Sequence, residues 1–588
     1  MTNSRNNRPA TRGARAGKSV AFRLSLAGLL ALGGMLAEKP VAFAQAVNAN
    51  TLLAKAQADE CFVAVGSAAN LFPALSLLNP PQSTCASGSP KVNQAYVWGL
   101  AKSGSNLWFG TAPNVECLVL SGYMGITTPV QTPSYVCEFG QSNFKPGGKG
   151  TDWRPPQVWV YSLADNKLTN RSTDPAVAAV LNGTMGLRSA GSLGNIVFLA
   201  GPALNNTSIN LLAFNNKTGQ FLGAQNIAAY NNIRQWVVMN GYLYTGVRAN
   251  DGTGRVLRWV GSAADPFKFV EVGKTNADVA YLTVLNNRLY ASTWGGGNVS
   301  LAGGPPSGVW VGPATTAALP ASSAMWTEIW NVAKYEVDQP TIQTLAGGAI
   351  EAYNGKIYWG MMQVPLTGLL AHYKAYPAAP RETADMLQAL VNTTRPIPIF
   401  RSDGNPNPAQ TRINLLYGSR QLAKWNGSAW VNVVNAGNLT PVFGAAGFGN
   451  PFNTYAWASA VYNKKLYFGT FDWYYLLADG LPQIAKALGV PLPAGTNYQA
   501  IVAALAAAAG GSNVQFGADL WRFDSPALPA KAESLNGLGN YLNYGVRTML
   551  VGGGNLYVGT ANPMNLKTGK GQPNGGWELR KLTTKSLW

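Results

Sequence analysis

The stretch GGGNLYVGTANP, which spans Gly552–Pro563, decides the fold of this 588-residue chain. A glycine-rich loop that binds phosphate follows a strand, opens a helix and carries a Lys-Ser/Thr pair. These glycines follow the apolar run RTMLV and precede the apolar run LYVGT, with no helical pattern and no Lys-Ser/Thr pair behind them. Strand, tight turn and strand are typical of a β-hairpin, so the glycines are predicted to form a turn.

The hairpin motif recurs along the chain, and with the opening stretch it gives seven copies. The others are KLYFGTFDW (465–473), KIYWGMMQV (356–364), RLYASTWGG (288–296), YLYTGVRAN (242–250), IVFLAGPAL (196–204) and NLWFGTAPN (106–114). A third apolar strand follows each pair, and it carries an aromatic residue: Trp159, Phe214, Trp259, Trp310, Trp425, Trp521 or Trp577. We expect these rings to pack between repeats rather than to hold a cofactor.

Repeats of this kind predict an all-β chain folded as a β-propeller of four-stranded antiparallel blades. The spacing from Leu243 to Leu289 fits blades of about 40–50 residues. We predict seven blades. Six or eight stay open, because the copy at 196–204 is divergent and INLLYGSRQL (413–422) could be a further core strand. Glycine after the aromatic residue suits a position where two backbones approach closely.

The L-Y-x-G-T motif resembles that of bacterial secreted β-propellers over nearly all of residues 90–588. The likeness is architectural. The chain lacks the His and Trp-Asp signature of WD40 blades, the glycine doublets of kelch blades and the Asp-box of sialidases. The resemblance therefore implies a fold and carries no functional residue with it.

Three domains are predicted. Residues 1–44 combine a basic start, the apolar run LSLAGLLALGGMLA and VAFAQA, which is the layout of a secretory signal peptide. Residues 45–90 form an N-terminal segment that could close the last blade. Residues 91–588 form the propeller, with insertions at about 112–156, 361–421 and 471–516 that are expected on one face. RETADMLQALVN (381–392), LPQIAKALG (481–489) and NYQAIVAALAAAAGG (497–511) indicate helices within the last two insertions.

The four cysteines predict disulfides in an exported protein. We favour the sequential pairs Cys61–Cys85 and Cys117–Cys137 among three connectivities. No zinc motif is present, and neither is the CxxCH motif of covalent haem. We predict no metal or cofactor, although a calcium ion held by scattered oxygen atoms is compatible with the sequence. Location in the periplasm or outside the cell is expected, with no membrane span after the signal is removed.

The net charge of the chain limits the classes of binding partner. The formal net charge is +19, and removal of residues 1–44 leaves about +13 on dispersed Lys and Arg. This favours polysaccharide, an anionic ligand or an envelope protein as partner, and no nucleic-acid motif is present.

Two groups of residues are candidate ligand sites. Arg188, Arg234 and Arg547 occupy equivalent positions at the start of the innermost strands and are predicted to point toward one end of the channel. They bind an anion, or each pairs with an acid of a neighbouring blade, such as Asp278 or Glu351. Asp472, Trp473 and Tyr474 lie at the root of the third insertion. They suit sugar binding, or the rings anchor the insertion.

The sequence favours a non-enzymatic exported binding protein. His372 is the single histidine, so a Ser-His-Asp triad is improbable and a multi-histidine metal centre is excluded. A lyase or hydrolase that uses two of the carboxylates Asp472, Glu351 and Asp278 is the alternative. An envelope scaffold is a second alternative.

Overall fold

The computed structural model describes residues 46–71, 85, 87–142, 152–295, 304–487, 502, 514–569 and 573–585. The signal peptide predicted at 1–44 lies outside these residues. Within them, the main strands form four-stranded antiparallel sheets, each built from strands that are mostly consecutive in the sequence. We call these sheets blades and number them along the chain. The predicted all-β propeller is confirmed.

The first four blades use neighbouring strands in sequence order. Their bounds are: blade 1, Gln94–Ser103, Asn106–Pro113, Val158–Ser162 and Lys167–Asn170; blade 2, Ser189–Leu193, Ile196–Pro202, Ile209–Asn215 and Phe221–Ile227; blade 3, Tyr230–Met239, Tyr242–Ala249, Gly254–Trp259 and Phe269–Thr275; blade 4, Asp278–Leu285, Arg288–Trp294, Gly308–Val311 and Thr327–Asn331.

The last three blades include the one that joins the two ends of the chain. Their bounds are: blade 5, Leu345–Tyr353, Lys356–Gln363, Ile399–Ser402 and Ile413–Gly418; blade 6, Asn453–Tyr462, Lys465–Asp472, Leu520–Phe523 and Lys531–Ser534; blade 7, Gly545–Gly552, Asn555–Ala561, Glu578–Thr584 and Asn48–Lys55. The strand Asn48–Lys55 pairs antiparallel with Glu578–Thr584, so the N-terminal segment supplies the outer strand of blade 7.

The opening stretch is a hairpin turn. Gly553 and Gly554 have φ values of 58° and 73°, and Gly552 pairs directly with Asn555. Two consecutive left-handed residues match the twist of a two-residue hairpin. Asn240 and Gly241 make the same turn in blade 3, with φ of 53° and 79°.

The glycine and threonine of the motif have separate structural roles. A Cβ atom on Gly469 would lie 2.3 Å from Val546 Cγ1 of the next blade, so a larger residue does not fit there. The following Thr470 accepts a hydrogen bond at its hydroxyl from the backbone N–H of Asp519, at 2.9 Å. Thr111 and Thr560 accept equivalent bonds from Gln157 and Glu578. The threonine therefore holds the start of the third strand.

Most of the third-strand aromatic rings pack against neighbouring blades, as predicted. Trp108 of blade 1 lies 5.1 Å from Phe214 of blade 2, and Phe198 of blade 2 lies 5.7 Å from Trp259 of blade 3. Trp577 contacts Phe109 at 5.0 Å. These rings fill the wedges between blades with apolar surface.

Blade 5 corrects one strand assignment. The prediction that Trp425 lies on its third strand is wrong, because Ile399–Ser402 pairs with Lys356–Gln363 and Ile413–Gly418 follows as the outer strand. Gln421–Trp425 instead forms a separate hairpin with Trp430–Val434, which places Trp425 outside the blade. The range 361–421 thus contains both outer strands of the blade, and 413–418 is no further core strand.

Helices lie mostly in the loops that follow second strands. They are α1 (Val115–Met124), α2 (Pro175–Leu181), α3 (Gln339–Ile342), α4 (Thr367–Ala375), α5 (Thr383–Thr393) and α6 (Tyr474–Ala487). The helix predicted at 381–392 is confirmed by α5, and most of 481–489 lies in α6. The one predicted at 497–511 lies outside the described residues, Val502 excepted.

Both favoured disulfide pairs, Cys61–Cys85 and Cys117–Cys137, are confirmed. The first lies beside the hairpin formed by Glu60–Phe62 and Ser89–Lys91. This hairpin joins the first insertion through a buried group of charges that we call the ion cluster, made of Glu60, Lys91, Glu138, Asp152 and Arg154. Its ion pairs measure 2.9–3.5 Å.

Candidate functional site

Bulges interrupt the pairing of the innermost strand at equivalent positions in several blades. Trp98, Arg234, Trp457 and Arg547 all sit at irregularities in the pairing between the first and second strands. Each lies five positions before the last residue of its strand, and so does Arg188 in blade 2. Bulges re-aim side chains. We call these five residues the bulge ring.

Each arginine of the bulge ring stacks on a tryptophan of an adjacent blade. The guanidinium carbon of Arg188 lies 4.7 Å from the Trp98 ring centre, and that of Arg547 lies 5.5 Å from Trp457. Arg234 lies 4.1 Å from Trp294 of blade 4. Cation–π contacts of this kind fix a guanidinium plane and leave its edge free to donate hydrogen bonds.

One carboxylate is shared within this group. Arg188 Nη1 donates to Asn232 Oδ1 at 2.8 Å, and Asn232 Nδ2 donates to Asp278 Oδ2 at 2.5 Å. Arg234 Nε donates to the same oxygen at 3.3 Å. The predicted pairing of an arginine with a neighbouring acid therefore holds for Arg234 and Asp278, whereas Arg188 contacts an amide.

The three arginines act on one another electrostatically. Burial, together with the charges of Arg234 and Arg547, lowers the pKa of Arg188 to about 9. The pKa of Arg547 is lowered by burial and by Arg234. The structure thus brings together the three arginines that the sequence predicts as a group. Burial and mutual repulsion make their protonated forms less favourable there than in water.

Tyr281 connects distant blades at this site. It raises the pKa of Arg547, and its hydroxyl donates to the backbone oxygen of Trp457 at 2.7 Å. Because Tyr281 belongs to blade 4 and Trp457 to blade 6, this hydrogen bond joins blades that are not neighbours. Tyr96 and Tyr544 share a further hydrogen bond between their hydroxyls.

The helix α1 and its disulfide cover the aromatic residues at this end. Val115, Cys117 and Leu120 pack into the same buried cluster as Tyr96, Trp98, Tyr455 and Trp457. Tyr123 of α1 acts on Arg188 and raises its pKa. Burial raises the pKa of Glu116, in the first turn of α1, to about 7.

The insertions of blades 1, 6 and 7 contact one another around α1. Ser134 hydrogen-bonds the hydroxyl of Tyr475 at 2.7 Å and Asp479 Oδ1 at 3.1 Å, which ties the first insertion to α6. Asn565 of blade 7 donates to Asn114 Oδ1 at 3.2 Å. These contacts join the first insertion to α6 and to blade 7, and we call the joined segments the cap.

Asp472, Trp473 and Tyr474 lie apart from the bulge ring. The carboxyl group of Asp472 is fully buried, accepts bonds from Asn450 Nδ2 and the Tyr474 backbone N–H, both at 2.7 Å, and has a raised pKa through burial. Tyr474 stacks on Phe452 at 4.5 Å. These contacts support the interpretation in which the residues anchor the helical insertion, because none of them presents the carboxylate to a sugar.

The carboxylates considered for catalysis have different neighbours. Glu351 accepts a hydrogen bond from Thr283 Oγ1 at 3.2 Å, and burial raises its pKa to about 7. Asp278 bonds Asn232 and Arg234, and the acid that acts on Asp472 is Asp519. The only histidine, His372, is buried among rings, with Trp430 at 4.8 Å. The described residues show no contact among Asp472, Glu351 and Asp278.

Metal, membrane and surface features add little to this site. The described residues contain no group of three or more His, Cys, Asp or Glu side chains arranged to hold a metal ion. Among the helices of the described ranges, none is long and apolar enough to cross a bilayer. A surface pocket of about 410 Å³ lies between 179–183 and 203–226 and is lined by apolar and amide side chains without a charged group.

Several residues of the site escape prediction from the sequence. Trp98 and Trp457 could have been found, since YVWGLA and YAWASAV align with GVRTML at the arginine position. Asn232 stands two residues before Arg234 but carries no motif. Trp294, Tyr281 and Tyr123 come from a second strand, another blade and an insertion, and no local pattern links them to the arginines.

Comparison with known proteins adds the fold alone. No protein-family profile and no curated protein matches the chain. Among solved structures, it is similar to the β-propeller domain of the Trilobed protease from Pyrococcus furiosus, at 6% identity and a TM-score of 0.33, over 84% of this chain and 94% of that one. The Dos1 propeller is similar at 7% identity and a TM-score of 0.37, over 84% and 92% of the two chains.

Proposed function

We propose that this chain is an exported, non-enzymatic binding protein that holds an anionic ligand at the bulge ring, beneath the cap formed by α1. The observation that carries the proposal is the imbalance of buried charge. Three guanidiniums act on one another, whereas the carboxylate Asp278 forms an ion pair with Arg234 and is linked to Arg188 through Asn232. Buried charges are retained when they are paired, and an anion would complete the pairing.

Binding accounts for the site better than catalysis by paired carboxylates does. Glycosidases and related enzymes need two carboxyl groups that flank one bond, whereas the three candidate carboxylates Glu351, Asp472 and Asp278 have separate partners. The guanidiniums, by contrast, have the donor geometry that carboxylate, sulfate and phosphate groups prefer. Two disulfides favour an oxidising compartment, where the anion would come from polysaccharide or another envelope component.

The test is direct binding. Purified residues 45–588 are titrated calorimetrically with D-glucuronate, phosphate, sulfate and neutral methyl glucoside. We expect at least one anion to bind and the neutral sugar not to bind. Changing Arg188 and Arg547 together to Gln should remove this binding, whereas Arg412→Gln, at an exposed position, should not. Absence of binding by every anion, or equal binding by the double variant, would contradict the proposal.

A further inference from the structure

Three atoms of the site have no hydrogen-bond partner among the described residues, and they are of two kinds. Arg188 Nε and Arg547 Nε are buried donors, and Asp278 Oδ1 is a buried acceptor. Asp278 is 2% exposed and Arg547 is 7% exposed. Buried polar atoms without partners are rare in native proteins, and at a candidate site they indicate what a ligand must supply.

The two oxygens of Asp278 have different environments. Oδ2 accepts from Asn232 Nδ2 and Arg234 Nε, so the chain itself satisfies this oxygen. Oδ1 has no hydrogen-bond donor among the described residues, although it lies in a group of arginines whose positive charge favours a bound anion. A ligand that consists of acid oxygens alone would satisfy the guanidiniums and would leave Oδ1 unpaired. The complete ligand must therefore bring a hydrogen-bond donor as well as an anionic group.

The charge of the site favours a neutral donor. Arg188, Arg234 and Arg547 outnumber Asp278, the carboxylate that acts on Arg188 and pairs with Arg234, so an ammonium group would add positive charge where it is already in excess. A hydroxyl group donates one hydrogen bond without adding charge. Hydroxyls that stand close to a carboxylate are the defining feature of hydroxy acids.

We propose that the anionic ligand is a polyhydroxy carboxylate of the uronic-acid class, whose carboxylate meets Arg188 and Arg547 and whose hydroxyl donates to Asp278 Oδ1. This inference rests on the proposed function, since it concerns the same site. It goes further because it names the ligand class and because it assigns Asp278 a role in discriminating hydroxy acids from acids without hydroxyl groups.

The experiment compares three probes that share a six-membered ring. D-glucuronate has the carboxylate and the hydroxyls, cyclohexanecarboxylate has the carboxylate alone, and methyl glucoside has the hydroxyls alone. Calorimetric titration of the wild-type protein is expected to give glucuronate an affinity about tenfold or more above that of cyclohexanecarboxylate, from one added hydrogen bond to a charged acceptor. Methyl glucoside should not bind measurably.

The variant Asp278→Asn tests the same inference a second way, because it should weaken the binding of glucuronate and should not weaken the binding of cyclohexanecarboxylate. A neutral amide is a weaker acceptor, so glucuronate should bind about tenfold more weakly. Removal of a negative charge from an anion site should leave cyclohexanecarboxylate binding unchanged or tighter. A circular-dichroism spectrum and a melting temperature establish that the variant folds, and the comparison in the wild-type protein stands without it.

The outcomes separate this inference from the proposed function. Equal affinity for glucuronate and cyclohexanecarboxylate would overturn the hydroxy-acid inference and leave anion binding intact. Preference for phosphate or sulfate over glucuronate would overturn it in the same way. Failure of glucuronate, cyclohexanecarboxylate, phosphate and sulfate alike would contradict both.

Discussion

Two regions of this propeller bury charge, and they do so in opposite ways. In the ion cluster, Lys91 and Arg154 meet three carboxylates, and every pair lies within 3.5 Å. In the bulge ring, Asp278 pairs with Arg234 and is linked to Arg188 through Asn232, while the guanidinium groups of all three arginines lie over tryptophan rings. The ion cluster is satisfied by the chain itself, whereas the bulge ring is not. The contrast indicates that the buried charges of the ion cluster are structural and that those of the bulge ring form a candidate binding site.

The largest effect is expected when the ion cluster is broken. Arg154→Met would leave Glu60, Glu138 and Asp152 buried with Lys91 as their remaining cation among the named residues. Removal of one partner from a buried ion pair costs about 3–5 kcal/mol. Urea denaturation of the variant should show this loss, and Arg412→Met should stay within about 0.5 kcal/mol of wild type. A loss below about 1 kcal/mol would mean that the cluster is not the structural unit described here.

Loss of the disulfide Cys61–Cys85 is the next effect in size. It lies beside the hairpin that delivers Glu60 and Lys91 to the ion cluster, so its removal frees the segment on which the cluster depends. Changing both cysteines to Ser should lower the free energy of unfolding by about 2–4 kcal/mol. Combined with Arg154→Met, the losses should be less than additive, because the two changes act on one region. Strict additivity would show that the two features are independent.

The pH dependence of the free energy of unfolding tests whether Glu116, in the cap over the bulge ring, is buried. In the folded state the pKa of Glu116 is raised from 4.5 to about 7. Between pH 4.5 and about pH 7 the folded state therefore keeps a proton that the unfolded state releases. Stability from this group is therefore present at low pH and falls as pH rises through about 4.5–7. Glu116→Gln should flatten the stability profile in this window and raise stability at pH 8 by about 1–3 kcal/mol. An unchanged profile would mean that Glu116 is solvated.

The smallest effect is expected at the bulge ring without ligand. Arg547→Gln removes one of three like charges that oppose one another, so the lost cation–π contact with Trp457 is offset by relief of repulsion. The free energy of unfolding should stay within about 1 kcal/mol of wild type. If the free energy of unfolding fell by about 3 kcal/mol or more, Arg547 would be a structural charge like Arg154. The contrast between the ion cluster and the bulge ring would then be wrong.

The sequence was sufficient to predict the propeller because its signals are local. Gly553 and Gly554 specify a turn, Gly469 specifies close approach of two blades, and both act through neighbouring strands. Blade 5 was misassigned because the helices α4 and α5 separate its second and third strands, and the Trp425 hairpin imitates a third strand. The arginines were identified by their equivalent positions. Their partners were missed because Asn232, Asp278 and Tyr281 meet them only through the closure of the ring.

The central claim is that the bulge ring is completed by an anion, and one measurement tests it most directly. Wild-type protein and the Arg188→Gln/Arg547→Gln variant are unfolded in urea with and without D-glucuronate. At 100 times its dissociation constant, the anion should stabilise the wild-type protein by about 2.7 kcal/mol and leave the variant unchanged. Equal stabilisation of both proteins, or of neither, would contradict the account.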